Sequence, residues 1–154
     1  MTSAAFRRSF DSLAEIFAFT GDTFAREGID QRLLPAVDLA LEELFTNMVK
    51  YSTTTMAPVH VEIVAIAEGV EVTLIDRDVE PFDVTKAPDV DVSLPIDQRD
   101  PGGLGLHLIR QMLDSIEYEY TRESRRSRIT FRKTRSGAAA SGRVTNKGGT
   151  NAND

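Results

Sequence analysis

Two alternating apolar runs, Val59 to Ala67 and Val70 to Ile75, meet at Glu68-Gly69 and constrain the chain more than any other feature. Successive side chains of a strand point to opposite faces, and a glycine-containing turn between two such runs folds them into an antiparallel hairpin. The second run feeds directly into Asp76. Upstream, residues 31 to 51 carry Leu33, Leu34, Val37, Leu41, Leu44, Phe45 and Met48 at helical spacing, which predicts one long amphipathic helix. An earlier helix is expected to run to about Glu27, capped by Asp11 or Ser12, with Leu13, Ile16, Phe17 and Phe24 inward and Gly28 as its stop. Residues 4 to 9 read as an edge strand.

Downstream of Asp76 the periodicity lapses. Residues 83 to 101 contain Pro88, Pro95, Pro101 and several aspartates, and read as a long loop. Loops of that length in compact domains are usually functional lids or disordered segments, and this one lies between two candidate site motifs, which favours a lid. Gly103 then opens a helix to about Leu113, while residues 116 to 120 and 128 to 133 read as a closing antiparallel pair. Residues 1 to 134 therefore form one expected domain. The remainder, 135 to 154, is small and polar and is expected to be a disordered tail.

Composition narrows the chemistry. A chain of 154 residues, 41% hydrophobic and 27% charged, suits one globular domain. With no cysteine and only two separated histidines, His60 and His107, thiolate and zinc sites are excluded, so any metal is expected to be a hard cation held by oxygen. The net charge of -6 argues against non-specific nucleic-acid binding. No run approaches the roughly 20 apolar residues of a membrane span, and the first residues contain no apolar signal core, so a cytoplasmic location is expected. The cluster Arg122, Arg125, Arg126, Arg128, Arg132, Lys133 and Arg135 reads either as a solvated hairpin or as a docking surface for an acidic partner.

Three short motifs carry possible chemistry. Glu43 and Asn47 are four residues apart, so they share a helix face with Ala36 and Ala40, bordering the apolar stripe. A carboxylate there suits a general base, and an amide oxygen one turn later suits Mg²⁺; an ordinary boundary pair has the same spacing. Asp76, where a buried strand emerges, can accept a hydrogen bond from an exocyclic amine such as that of adenine, or be a plain turn aspartate. Gly102, Gly103, Leu104, Gly105 and Leu106 stand at a helix start, where glycines admit a phosphate to the first N–H groups and the positive end of the dipole. A helix that merely begins with glycines is the alternative. His107 within it reads as a helix-face residue, not a phosphoacceptor. Neither common phosphate motif, G-x-x-x-x-G-K-[ST] or G-x-G-x-x-G after a strand, is present.

Taken in order, ALEELFTNMVKYS, VTLIDRDVEPFD, GGLGLHLIRQMLDSIEYEY and RITFRK resemble the GHKL ATPase superfamily, and within it the anti-sigma factor serine/threonine kinases of partner-switching modules. The resemblance covers about residues 4 to 134. It implies a two-layer α/β sandwich of the Bergerat type, with a mainly antiparallel mixed sheet, helices on one face, and ATP between the layers beneath a lid. Glu43 then matches the glutamate that activates a serine or threonine hydroxyl, Asn47 the magnesium-binding asparagine, Asp76 the aspartate that reads adenine, and Gly103 and Gly105 the glycines around the phosphates. Lys50, one turn from Asn47, would assist phosphate binding or stay solvated. The family motif is usually D-x-G, whereas Asp78 stands here at its third position, adding a side chain and a negative charge near base and sugar. The resemblance further implies an anti-anti-sigma STAS-domain protein and a sigma factor as partners, and a homodimer. A non-catalytic binding module with a weakened site and a simple GHKL ATPase are the alternatives.

Overall fold

The computed structural model describes residues 1 to 86 and 103 to 136. Its elements follow in the order β1 (Thr2–Phe6), α1 (Leu13–Glu27), α2 (Leu34–Tyr51), β2 (Val59–Ile66), β3 (Gly69–Asp76), α3 (Gly103–Met112), β4 (Ser115–Thr121) and β5 (Arg126–Thr134). The strands form one five-stranded sheet in the order β1-β2-β3-β5-β4, antiparallel at every junction. The mixed character anticipated from the resemblance is thus absent among the described strands. The loop expected over 83 to 101 and the tail beyond 136 lie largely outside the described residues.

Register places the apolar residues in continuous rows across the sheet. Ala4 faces Val61, which faces Leu74, which faces Ile129, which faces Tyr118; one rung along, Ile63, Val72, Phe131 and Ile116 align in the same way. These rows belong to a single core with Val37, Leu41, Leu44 and Phe45 of α2, Ile16 and Phe24 of α1, and Ile109 of α3. The other face carries polar rows, including Glu71 opposite Arg132 and Thr73 opposite Thr130. Helices and sheet therefore make two layers with one core between them. Among the described residues no helix is long and apolar enough to cross a membrane.

Two local expectations need correction. The first strand ends at Phe6, because the chain bends away over residues 7 to 9 into a short 3-10 turn, Phe10–Ser12, whose N-terminus is capped by the Ser9 hydroxyl accepting from the Asp11 N–H at 3.3 Å. Ser12 stands at the start of α1 but does not cap it, since its hydroxyl donates to the Arg7 carbonyl at 2.7 Å. The inward face of α1 also includes Thr20 and Thr23, both fully buried. The Thr23 hydroxyl donates to the Phe19 carbonyl at 2.8 Å, and the Thr20 hydroxyl has Asp38 Oδ1 of α2 at 2.7 Å and the Phe17 carbonyl at 3.0 Å, which leaves the methyl groups to pack. Gly28 ends the helix as expected, in the left-handed region at φ 67°.

Phe45 has no exposed surface and sits between α2 and the sheet. Phe45→Ala should lower the unfolding free energy by about 3 to 5 kcal/mol in urea titrations. A loss below about 1 kcal/mol would contradict this placement of the core.

Candidate functional site

At the end of the central strand, the apolar row becomes polar. Asp76 faces Ser127 across the β3–β5 ladder, and Ser127 faces Tyr120 of β4. Both Asp76 and Ser127 are buried. They line a small concavity together with Leu44, Asn47, Met48, Tyr51 and Ser52 of α2 and its end, Ile129, and Val79, Glu80, Phe82 and Val84. Asn47 and Asp76, 29 positions apart in the sequence, therefore meet at one concavity. Its walls combine apolar side chains with the polar groups of Asn47, Ser52, Asp76, Glu80 and Ser127, which could orient a small molecule.

Burial pushes the Asp76 carboxyl above the usual carboxylate range, while Arg8 acts in the opposite direction. The Arg8 guanidinium donates to Asp76 Oδ1, to the Met48 carbonyl at 2.9 Å and to the Ala57 carbonyl at 3.3 Å. Sequence reasoning missed Arg8. An arginine in a polar N-terminal stretch reads as solvated, and only the register of β1 on β2 brings it to the end of β3. Ser127 was missed as well, within an arginine-rich run whose alternation is obscured by charge; its phase relative to Ile129 and Phe131 was the available signal.

Asn47 lines the cavity from α2, and Glu43 stands one turn before it on the same helix, outside the lining. Asn47 is 4% exposed and Glu43 half-buried. Among the described residues, Glu43 Oε1 and Asn47 Nδ2 are buried without a hydrogen-bond partner, which is unusual for polar atoms in a packed interior. A Cβ placed on Gly105 would fall within the Glu43 carboxyl group. Glycine at 105 thus lets the first turn of α3 approach Glu43, joining two motifs that are 62 positions apart. Burial raises the Glu43 carboxyl above its ordinary value, partly offset by the charge of Lys50. Lys50 itself is exposed, with Nζ 5.7 Å from the Tyr51 ring, which in turn stacks on Phe82 at 5.5 Å.

Of the glycine-rich turn, Gly103 opens α3 as expected, Leu106 packs into the core, Gly102 lies outside the described residues, and so does the side chain of Leu104. Asp78 takes φ 57°, the left-handed region where glycine is at ease and aspartate is among the better-tolerated alternatives. Its side chain is 66% exposed and lies 3.7 Å from Arg125, and Asp78 does not line the cavity. Several cations of the arginine-rich hairpin are likewise engaged within the chain: Arg125 pairs with Glu80 at 2.8 Å, Arg132 with Glu71 at 2.8 Å and Glu117 at 3.4 Å, and Lys133 donates to the Met112 carbonyl at 2.7 Å.

A second anchor system fixes the segment after β3. The Tyr120 hydroxyl donates to the Val79 carbonyl at 2.7 Å, the Phe82 N–H donates to the Tyr118 hydroxyl at 3.0 Å, and Arg110 donates to the Val84 carbonyl at 2.6 Å. Strand β4 and helix α3 thereby hold one rim of the cavity in place. Among the described residues no three His, Cys, Asp or Glu side chains converge to hold a metal alone.

The raised Glu43 carboxyl has a consequence for stability. A native state that holds a proton more tightly than the unfolded chain loses stability as pH rises from the ordinary value of 4.5 through the raised one. Glu43→Gln removes that loss. Its melting temperature should exceed the wild type's at pH 7, and the difference should vanish below pH 4.5 in thermal scans. A pH-independent difference would contradict the assignment.

A family model described as a histidine kinase-like ATPase domain matches residues 6–133, which include every strand and helix lining the cavity. No curated relative matches the chain. Among solved structures, the chain is similar to the Acinetobacter baumannii histidine kinase AdeS, at 14% identity and a TM-score of 0.45, over 87% of this chain and 68% of that one. The superfamily expected from the ordered motifs is supported by the family match, which does not distinguish the anti-sigma branch. The chain belongs to the histidine kinase-like ATPase domain family, within the GHKL superfamily.

Proposed function

We propose that this domain is an ATP-dependent protein serine/threonine kinase of the anti-sigma type, which phosphorylates an anti-anti-sigma STAS-domain protein and otherwise sequesters a sigma factor, acting as a homodimer. The observation that carries the reading is the meeting of Glu43 with Gly105. It sets a carboxylate with an unpartnered buried oxygen at the first turn of α3, beside a cavity bottomed by Asp76.

The residues present fit a magnesium nucleotide. Asp76 would accept from the base amine, the buried Asn47 amide would hold the cation, and the N–H groups opening α3 at Gly103 and Gly105 would meet the phosphates. Lys50 would add its charge at the rim. Bound Mg-ATP supplies the transferable phosphoryl group and the cation that stabilises charge during transfer. The protein's own contribution is positioning and proton movement. Glu43 takes the proton of the acceptor hydroxyl at Oε1 while the hydroxyl oxygen bonds to phosphorus and ADP departs. A carboxylate whose affinity for protons is raised by burial is a better base near neutral pH than an exposed one.

A non-catalytic module with a weakened nucleotide pocket was motivated by Asp78. The exposed Asp78 side chain, 3.7 Å from Arg125 and absent from the cavity lining, supports the catalytic reading over that one. In assays with Mg-ATP and a STAS-domain acceptor, Glu43→Ala should lower phosphoryl transfer by roughly 10² to 10⁴-fold. Gly105→Ala, which pushes the Glu43 carboxyl aside, should lower it by up to about 100-fold with the fold retained. Equal transfer by wild type and Glu43→Ala, or rapid hydrolysis with no acceptor modified, would overturn the kinase reading.

A further inference from the structure

The proton-transfer step leaves the Arg8–Asp76 pair unused. Its two side chains are 6% and 2% exposed. Removing two charges from water is expensive, and apolar replacements of such pairs are often as stable or more so, so stability alone is a weak reason for one here. The geometry supplies another. Arg8 is anchored at three points: Nη1 on the Met48 carbonyl at the end of α2, Nε on the Ala57 carbonyl, and Nη2 on Asp76 Oδ1. The guanidinium is thus fixed by backbone before it meets the carboxylate, and Asp76 is at the same time a wall of the cavity.

The protonation of a buried carboxyl determines what it can recognise. Ionised, it only accepts hydrogen bonds; protonated, it also donates and can satisfy a carbonyl oxygen. Without a cation beside it, a carboxylate buried as Asp76 is would tend to take up a proton. An acceptor-only group welcomes an exocyclic amine and repels an oxo group in the same place.

We propose that Arg8 is a positioning residue for base selectivity: by pinning Oδ1 of Asp76 it keeps the carboxylate an acceptor for the 6-amino group of adenine and closed to 6-oxo purines. The inference rests on the nucleotide reading above and adds the residue that sets its selectivity.

The test is calorimetric binding of the full chain, with Mg²⁺, to ATP, GTP and purine riboside triphosphate, which lacks the 6-amino group. The wild type should prefer ATP over both by roughly 10 to 100-fold, the size of a hydrogen bond to a charged group. Arg8→Met should bring ATP and GTP within a few-fold of one another, by weakening ATP and by letting the protonated carboxyl donate to the 6-oxo group of GTP, with purine riboside triphosphate little changed. Arg8→Lys, which keeps a cation but not the three-point fork, should restore part of the preference, and it serves as the deciding variant if Arg8→Met does not fold. General damage to the fold would lower all three affinities together and leave their ratio unchanged. A ratio unaltered in the variants, or tighter ATP binding by Arg8→Met, would overturn the role of Arg8 and leave the nucleotide reading standing. Failure of the wild type to bind any of the three would overturn that reading and this inference with it.

Discussion

A carboxylate buried at the end of the central strand sets the terms for much of this molecule. Asp76 continues the inward-facing row of Val70, Val72 and Leu74, so the pleat that buries the core also buries the charge. Arg8 meets it there and, through the Met48 and Ala57 carbonyls, ties the end of β1, the last turn of α2 and the approach to β2 to the end of β3. One interaction thereby fixes the relation of helix to sheet at the place where the cavity opens. Breaking such a pair on one side leaves a charge uncompensated, at a cost of about 3 to 5 kcal/mol, which makes the corner rigid as well as polar.

Opposite this corner the site is built by close approach. Glu43 projects from α2 toward α3, and only the missing side chain at Gly105 lets the two helices meet there. Two of the buried polar atoms without a partner, Glu43 Oε1 and Asn47 Nδ2, lie where the motifs converge; others, among them His60 Nδ1 and Arg126 Nε, lie elsewhere in the sheet. At Asp78, backbone geometry accounts for the usual glycine of the motif, and Arg125 lies 3.7 Å from the aspartate side chain.

How much of this was legible in the sequence follows from the range of the forces involved. The β2–β3 hairpin was plain, because alternation and the Glu68-Gly69 turn are local, and α2 was plain because its apolar stripe is continuous. Glu43, Asn47 and Asp76 were found by order and spacing, each too common to be informative alone. Arg8 was out of reach: its partner lies 68 residues on, and nothing near it in sequence distinguishes a buried arginine from a solvated one. Thr20 and Thr23 were hidden for a related reason, since a threonine becomes a core residue only once its hydroxyl is satisfied, here by carbonyls of its own helix and, for Thr20, by Asp38 of α2. The absence of a parallel strand pair among the described residues depends on strand order, which periodicity does not encode.

The central claim, that the space between α2 and the β3–β5 corner is a nucleotide site, is tested most directly by backbone amide chemical shifts recorded during titration with Mg-ADP. The account predicts saturable changes clustered at Asn47, Asp76, Val79, Gly105 and Ser127, with Thr73, Thr130 and Arg132 on the outer face unmoved. Shifts confined to that outer face, or none at millimolar nucleotide, would contradict it.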